Sequence, residues 1–192
     1  MGNVGRKALF VDRDGVVNED RGYVHRAEDF VVLPGVIDAL RLAREFGYLV
    51  VVVTNQAGIA RGYYGLEAVD ELHRHMVALF ASQGVSVDGI YICPHHVMGI
   101  MPEYAVACEC RKPRPGMILR AARDLDVDVA ESLLVGDKPS DIEAGLAACV
   151  GKNCLIRKSS AASSIPAGLP YLECQSLYEA VFRYCVDSRL VR

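Results

Sequence analysis

Asp12 and Asp14 stand one residue apart at the end of the apolar run Ala8 to Val11, and Gly15 follows them at once. Side chains alternate along a strand, so two carboxylates at this spacing can face one ligand. The bland alternative is a solvated Asp-Gly turn at a strand end. Two further apolar runs also stop on polar groups. Leu49 to Val53 leads into Thr54-Asn55, and Ser132 to Val135 leads into Gly136-Asp137-Lys138, with Asp141 four residues past Asp137. Lys112 lies at the start of a helix between the second and third of these clusters. If the runs are parallel strands, their carboxyl ends share one side of a sheet, and distant residues converge there. Carboxylates crowded in one pocket repel unless a hard cation neutralises them, and Mg2+ prefers oxygen ligands completed by water and phosphate. Asp12 and Asp137 are the expected ligands. A carboxylate can then attack phosphorus in line while Thr54 and Lys112 balance charge on the equatorial oxygens, which leaves Asp14 to move protons.

A second metal-seeking set lies just before Lys112. Cys93, His95, Cys108 and Cys110 offer three thiolates and an imidazole, which suits tetrahedral Zn2+ with no open position. The one-residue gaps are tighter than finger spacing, and His96 stands beside His95 as an alternative ligand. Zinc binding worth on the order of 10 kcal/mol would order a stretch with little core of its own. Because that stretch runs into Arg111-Lys112, it would also set both of those side chains. The seven cysteines form an odd set in a chain large enough to fold without staples, so thiols or metal ligands are expected rather than disulfides. Cys149, Cys154, Cys174 and Cys185 sit in apolar contexts and read as core residues.

The scaffold these groups need is an alternation of strands and helices, and the chain carries it. Residues 16–30 have mixed charge and read as a loop over the first strand's end. Pro34-Gly35 opens an amphipathic helix through Val36, Leu40, Ala43 and Phe46, Gly47 closes it, and Leu49 to Val53 is the next strand. A glycine-rich loop, Gly58 to Gly65, precedes a helix from Leu66 to Ser82 with apolar residues at Val69, Leu72, Met76, Val77 and Phe80. His73 and His75 point to different sides of that helix and read as surface or packing residues. Ile90 to Ile92 is a short strand, Cys93 to Cys110 an insertion loop, Met117 to Leu125 a helix, and Ser132 to Val135 a strand. Pro139 suits the first turn of a helix reaching Cys149, and Asn153 to Ile156 is a fifth strand. Ser159 to Gly168 is a Ser/Ala-rich surface loop, and Ser176 to Cys185 a last helix. The pattern predicts one α/β domain over residues 1–192, a doubly wound, mainly parallel, Rossmann-like sheet with right-handed crossovers. No space remains between the motifs for a separate cap domain, so loops must roof the pocket, which suits a small phosphorylated sugar.

Bulk properties exclude other classes. The 192 residues are 52% hydrophobic and 23% charged with a net charge of -3, and no Lys/Arg-rich run offers a footprint for nucleic acid. Tyr48 to Val53 is far too short to span a bilayer, and Asp12 arrives before any signal-like apolar region, so a cytoplasmic protein with no membrane partner is expected. Arg6 occupies the position where N-myristoylation wants Ser or Thr. A monomer is expected.

Together, Asp12-Arg13-Asp14-Gly15, Thr54-Asn55, Arg111-Lys112-Pro113 and Gly136-Asp137-Lys138 resemble the haloacid dehalogenase superfamily of phosphatases, over nearly the whole chain. Within it, residues 54–62, Cys93-Pro94-His95-His96 and residues 108–113 resemble the branch that removes the 7-phosphate of heptose bisphosphates on the way to nucleotide-activated heptose. The resemblance implies that Asp12 forms an aspartyl-phosphate and that Asp14 protonates the leaving oxygen and then activates water. It implies Mg2+ on Asp12, the backbone carbonyl of Asp14, and Asp137, with zinc on the cysteine loop. Thr54, Asn55 and Lys112 would bind the transferring phosphoryl group, and Arg111 the rest of the substrate. Asp20, Arg21, Gly22, Tyr23, Gln56, Ala57 and Lys138 would line the same site. Arg61 is either a contact to a second phosphate or a solvated loop residue. Asp141 either supports the metal site or is an acid favoured at a helix N-terminus. Val16 departs from the Thr that many members carry, which removes a hydroxyl but no acid. Histidinol-phosphate phosphatase shares the acids and a zinc loop, but Gly22-Tyr23-Val24 and Ile59-Ala60-Arg61-Gly62 favour the heptose branch. A phospho-accepting signalling domain would share the acids, Thr and Lys, yet Asp14 would hasten hydrolysis of its phosphoryl group.

Overall fold

The apolar runs line up as strands Lys7–Val11 (β1), Tyr48–Asn55 (β2), Gly89–Cys93 (β3), Leu133–Gly136 (β4), Lys152–Ile156 (β5) and Leu172–Cys174 (β6). In the computed structural model, which describes residues 5–157 and 169–187, they form one parallel sheet in the order β3-β2-β1-β4-β5-β6. The surface loop expected at Ser159 to Gly168 lies outside the described residues. Central β1 is buried along Ala8–Val11 because both faces of the sheet are covered.

Alternation along each strand divides the core in two. Leu9, Val11, Val50, Val52, Leu133 and Val135 face helices Val36–Glu45 (α1), Leu66–Ser82 (α3) and Leu177–Phe182 (α6). Ala8, Phe10, Leu49, Val51, Val53 and Leu134 face Gly116–Leu125 (α4) and Pro139–Ala147 (α5). Each fully buried Leu, Ile or Phe contributes roughly 1.5–3 kcal/mol of transfer free energy. The sheet grows one way from β1 with helices on one face, and the other way from β4 with helices on the opposite face. The crossovers through α1, α3, α4 and α5 therefore share one hand. The direction reverses between β1 and β4, and ligands bind beyond the strand ends at such a point.

Three features differ from the sequence reading. β6 is a three-residue edge strand, Leu-Glu-Cys, too short to show an alternation. Within the expected glycine-rich loop, Ala57–Ala60 forms one helical turn (α2) packed inward through Gly58, Ile59 and Ala60. Cys149, expected in the core, is exposed: the chain leaves α5 there with φ +58, and that left-handed turn carries the side chain out of the helix's buried face. Cys154, Cys174 and Cys185 are buried as expected. Among the described residues no helix is long and apolar enough to cross a membrane.

Candidate active site

Asp12 follows directly on β1, and its N–H donates to Val135 O at 3.0 Å, so the residue past the strand is still stitched to β4. Asp137 follows directly on β4, and Asp141 enters from the first turn of α5. Carboxylate oxygens of the three acids lie within 4.8 Å of one another. Gly136 permits the approach, since a Cβ there would collide with the Asp141 side chain. Asp141 stands at the helix N-terminus, as one of its two readings has it, and it reaches Lys112 as well. One oxygen caps α5 by accepting the Lys138 N–H at 2.9 Å, and the other takes Lys112 Nζ at 2.7 Å.

The buried Lys112 ammonium finds three acceptors: Asp12 Oδ1 at 2.7 Å, Asp141 Oδ1 at 2.7 Å and Val53 O at 2.8 Å. Burial opposes its charge, but Asp12 and Asp141 prevail and raise its pKa. The Asp12 carboxyl is pushed up to about 7, first by burial; Lys112 pulls it down, while Asp141 and Asp137 push it further up. Three acids around one buried lysine leave a surplus of negative charge with hard oxygen donors, which is chemistry that fits a divalent cation such as Mg2+.

Asp14 is held on every side. Its carboxylate accepts from Arg13 Nε at 3.2 Å and Nη2 at 2.9 Å, Asn18 Nδ2 at 3.0 Å and Gln56 Nε2 at 3.2 Å. Arg13 is fully buried and also donates to Val24 O at 2.6 Å and meets His73 Nε2 at 3.0 Å. Burial, then Arg13, lower the His73 pKa to about 3, so its neutral ring accepts that bond through Nε2. Gln56 Nε2 reaches Thr54 Oγ1 at 2.9 Å, and its Oε1 accepts from the Tyr64 hydroxyl at 3.0 Å.

Above these groups opens a cavity of about 470 Å³. Asp14 and Lys112 line it from below; Asp20, Gly22 and Tyr23 from the loop after β1; Asn55, Gln56, Ala57 and Arg61 from β2 and α2; Arg111 and His96 from the long loop; and Lys138 from the start of α5. Tyr23 holds φ +54, unusual for an aromatic residue, and sets its ring edge-on to Tyr63 with centroids 4.8 Å apart. Lys138 spans the mouth to Asp20 at 3.1 Å. Burial works against its charge, and Asp137, Asp12 and Asp20 raise its pKa over that opposition. A wider groove of about 700 Å³ follows α3 and the edge strand β3, but its wall of Val77, Ala78, Ile90 and Ile92 gathers no set of acids.

The cysteine cluster closes without a bond. Cys110 Sγ lies 3.2 Å from Cys108 Sγ, Cys93 Sγ 3.5 Å from Cys108 Sγ, and His95 Nδ1 3.3 Å from Cys110 Sγ and 3.8 Å from Cys93 Sγ. A tetrahedron with Zn–S bonds of about 2.3 Å has edges of about 3.8 Å, so the four atoms fit zinc after slight expansion. His95, not His96, turns to the thiols; the His96 ring lines the cavity instead.

Residues 109–150 match the HAD-hydrolase-like family. A D-glycero-beta-D-manno-heptose-1,7-bisphosphate 7-phosphatase from Yersinia pestis is 50% identical over 150 residues, covering 78% of this chain and 80% of that protein. A D-glycero-alpha-D-manno-heptose-1,7-bisphosphate 7-phosphatase from Burkholderia mallei is 48% identical over 165 residues, covering 83% and 87%. The crystal structure of the D,D-heptose 1,7-bisphosphate phosphatase from B. bronchiseptica, complexed with magnesium and phosphate, aligns at a TM-score of 0.75. The two are 34% identical, and the alignment covers 96% of this chain and 98% of that one. This chain belongs to the heptose-1,7-bisphosphate 7-phosphatase family.

It is thus a phosphoric monoester hydrolase with the HAD-like fold. In this heptose-bisphosphatase family member, the sequence-predicted residues Asp12, Asp14, Thr54, Lys112 and Asp137 do come together. Three predicted substrate contacts behave differently. Thr54 is buried beneath Gln56 and is not among the residues lining the cavity. Arg21 pairs with Glu19 at 2.7 Å and is not among the residues lining the cavity. Asn55 spends both ends of its amide on Lys112, accepting from its N–H and donating to its carbonyl, each at 3.1 Å. The sequence reading gives Arg13 no role and His73 only a surface or packing one, although a signal for its polar partner exists. His73 lies four residues after Val69 and three before Met76, inside the apolar stripe of α3, where an imidazole needs a polar partner.

Proposed function

We propose that the chain removes the 7-phosphate of D-glycero-D-manno-heptose 1,7-bisphosphate through an aspartyl-phosphate on Asp12. The observation that carries this reading is the Asp12-Lys112-Asp141 triad at the switch point of the sheet, with Asp137 beside it and Asp14 pinned at the cavity floor. Mg2+ would be held by Asp12, the Asp14 backbone carbonyl and Asp137. Bound there, it would supply the positive charge that keeps Asp12 ionised and offsets the phosphate. Asp12 attacks phosphorus in line, and Asp14 protonates the leaving sugar oxygen. Asp14, now a base, takes a proton from the water that cleaves the acyl phosphate. Thr54 and Lys112 bind the equatorial oxygens. Cys93, His95, Cys108 and Cys110 would hold Zn2+ in a structural role, which would brace the loop that delivers Arg111 and Lys112.

The test is phosphate release from both C1 anomers of the bisphosphate and from histidinol phosphate, with Mg2+ present. Wild type should favour a heptose bisphosphate, while Asp12→Asn should lose turnover and keep its zinc and its melting temperature. Turnover retained in Asp12→Asn would remove the nucleophile assignment, and faster release from histidinol phosphate would remove the substrate.

A further inference from the structure

His96 has no place in the metal cluster, yet its ring lines the catalytic cavity beside Arg61 and Arg111. Its Nδ1 accepts the Met98 N–H at 3.1 Å. A ring nitrogen that accepts carries no proton, so the proton of this imidazole sits on Nε2 as a donor. Bonds to backbone carbonyls tie the segments that carry the three groups to one another. Arg111 Nη1 donates to His95 O at 3.1 Å, which ties it to the residue before His96. Ile100 and Met101 both donate to Ala60 O, at 2.8 and 3.0 Å, which ties the far end of the same turn to the residue before Arg61. Gly99 makes this approach possible, because a Cβ there would collide with the Ala60 carbonyl. Arg61 Nε is buried and has no hydrogen-bond partner among the described residues. A buried guanidinium nitrogen without a partner is costly unless a ligand completes it.

We propose that His96 is a substrate-binding residue whose Nε2–H joins Arg61 and Arg111 in a preorganised corner for the anionic group of the substrate remote from the transferring phosphate. This rests on the bisphosphate reading above. The corner is rigid before binding, so little ordering cost offsets the contacts it makes. A doubly phosphorylated sugar engages it, whereas the same sugar with one phosphate, at the scissile end, leaves it empty.

The experiment compares kcat/KM for heptose 1,7-bisphosphate and heptose 7-phosphate in wild type, His96→Ala and His96→Gln, with zinc content measured in each. His96→Ala should lower the bisphosphate-to-monophosphate ratio about tenfold, the scale of one lost hydrogen bond to a charged group. His96→Gln, which keeps an N–H donor, should restore part of it, and zinc should remain in both. An unchanged ratio in His96→Ala overturns the role of His96. Loss of zinc with equal loss on both esters also overturns it, since His96 would then serve the metal loop. A wild type that prefers neither ester overturns the bisphosphate reading itself, and that result is visible before any variant is made.

Discussion

Arg13→Met is the most informative single substitution. Arg13 is fully buried and serves three partners: the Asp14 carboxylate, Val24 O and His73 Nε2. Methionine keeps the apolar stem and removes every donor. Val24 O and His73 Nε2 would each be left buried without that donor, at about 1–3 kcal/mol apiece. Asp14 keeps Asn18 and Gln56, so its loss is partial. The expectation is a destabilisation of about 3 kcal/mol, read as a shift of the urea midpoint at fixed zinc. Kinetically, kcat should fall roughly tenfold or more with KM little changed, because Asp14 works after the substrate is bound. A double-mutant cycle with His73→Phe should give a coupling on the order of 1 kcal/mol. Stability within about 0.5 kcal/mol of wild type, or no coupling to His73, would refute the network as a source of stability.

Acid should destabilise the protein through His73. Its pKa is about 3 folded against an ordinary 6.5, so the unfolded chain binds the extra proton between those values and stability drops as pH falls below 6.5. Between pH 7 and pH 5 this amounts to about 2 kcal/mol, and His73→Gln should show a correspondingly flatter urea-midpoint profile; equal slopes would remove His73 as the cause. Stripping zinc with a chelator should raise KM more than it lowers kcat, because Arg111 hangs on His95 O while Lys112 is held by Asn55. A zinc-free protein with unchanged KM would show that the loop keeps its shape unaided.

Much of the fold was legible because its elements are locally consistent. Apolar runs at β1, β2 and β4 and the stripe of α3 all agree with the sheet they form. The converging acids were legible for the same reason, as polar residues that stop buried strands. What stayed hidden depends on distance in sequence. Nothing near Asn55 reveals that its amide will clasp the Lys112 backbone, and nothing near Arg13 names His73. The β6 edge carries too few residues for a period, and the outward turn of Cys149 depends on where α5 stops rather than on the apolar residues around it.

The Asn55 clasp also has a meaning for how the long loop can change. Cys93 pairs with the backbone of Asn55 across the sheet, and Lys112 pairs with its side chain. The excursion between them therefore leaves and returns at a single residue, like a handle bolted at one plate. Residues added in its exposed stretch around Val106 and Ala107, away from the bonds that Ile100 and Met101 make to Ala60 O, lengthen a circuit that is already closed, and doubling such a circuit costs only about 0.6 kcal/mol of closure entropy. The rim that meets the substrate can thus diversify while the lysine beneath it stays indexed to the sheet.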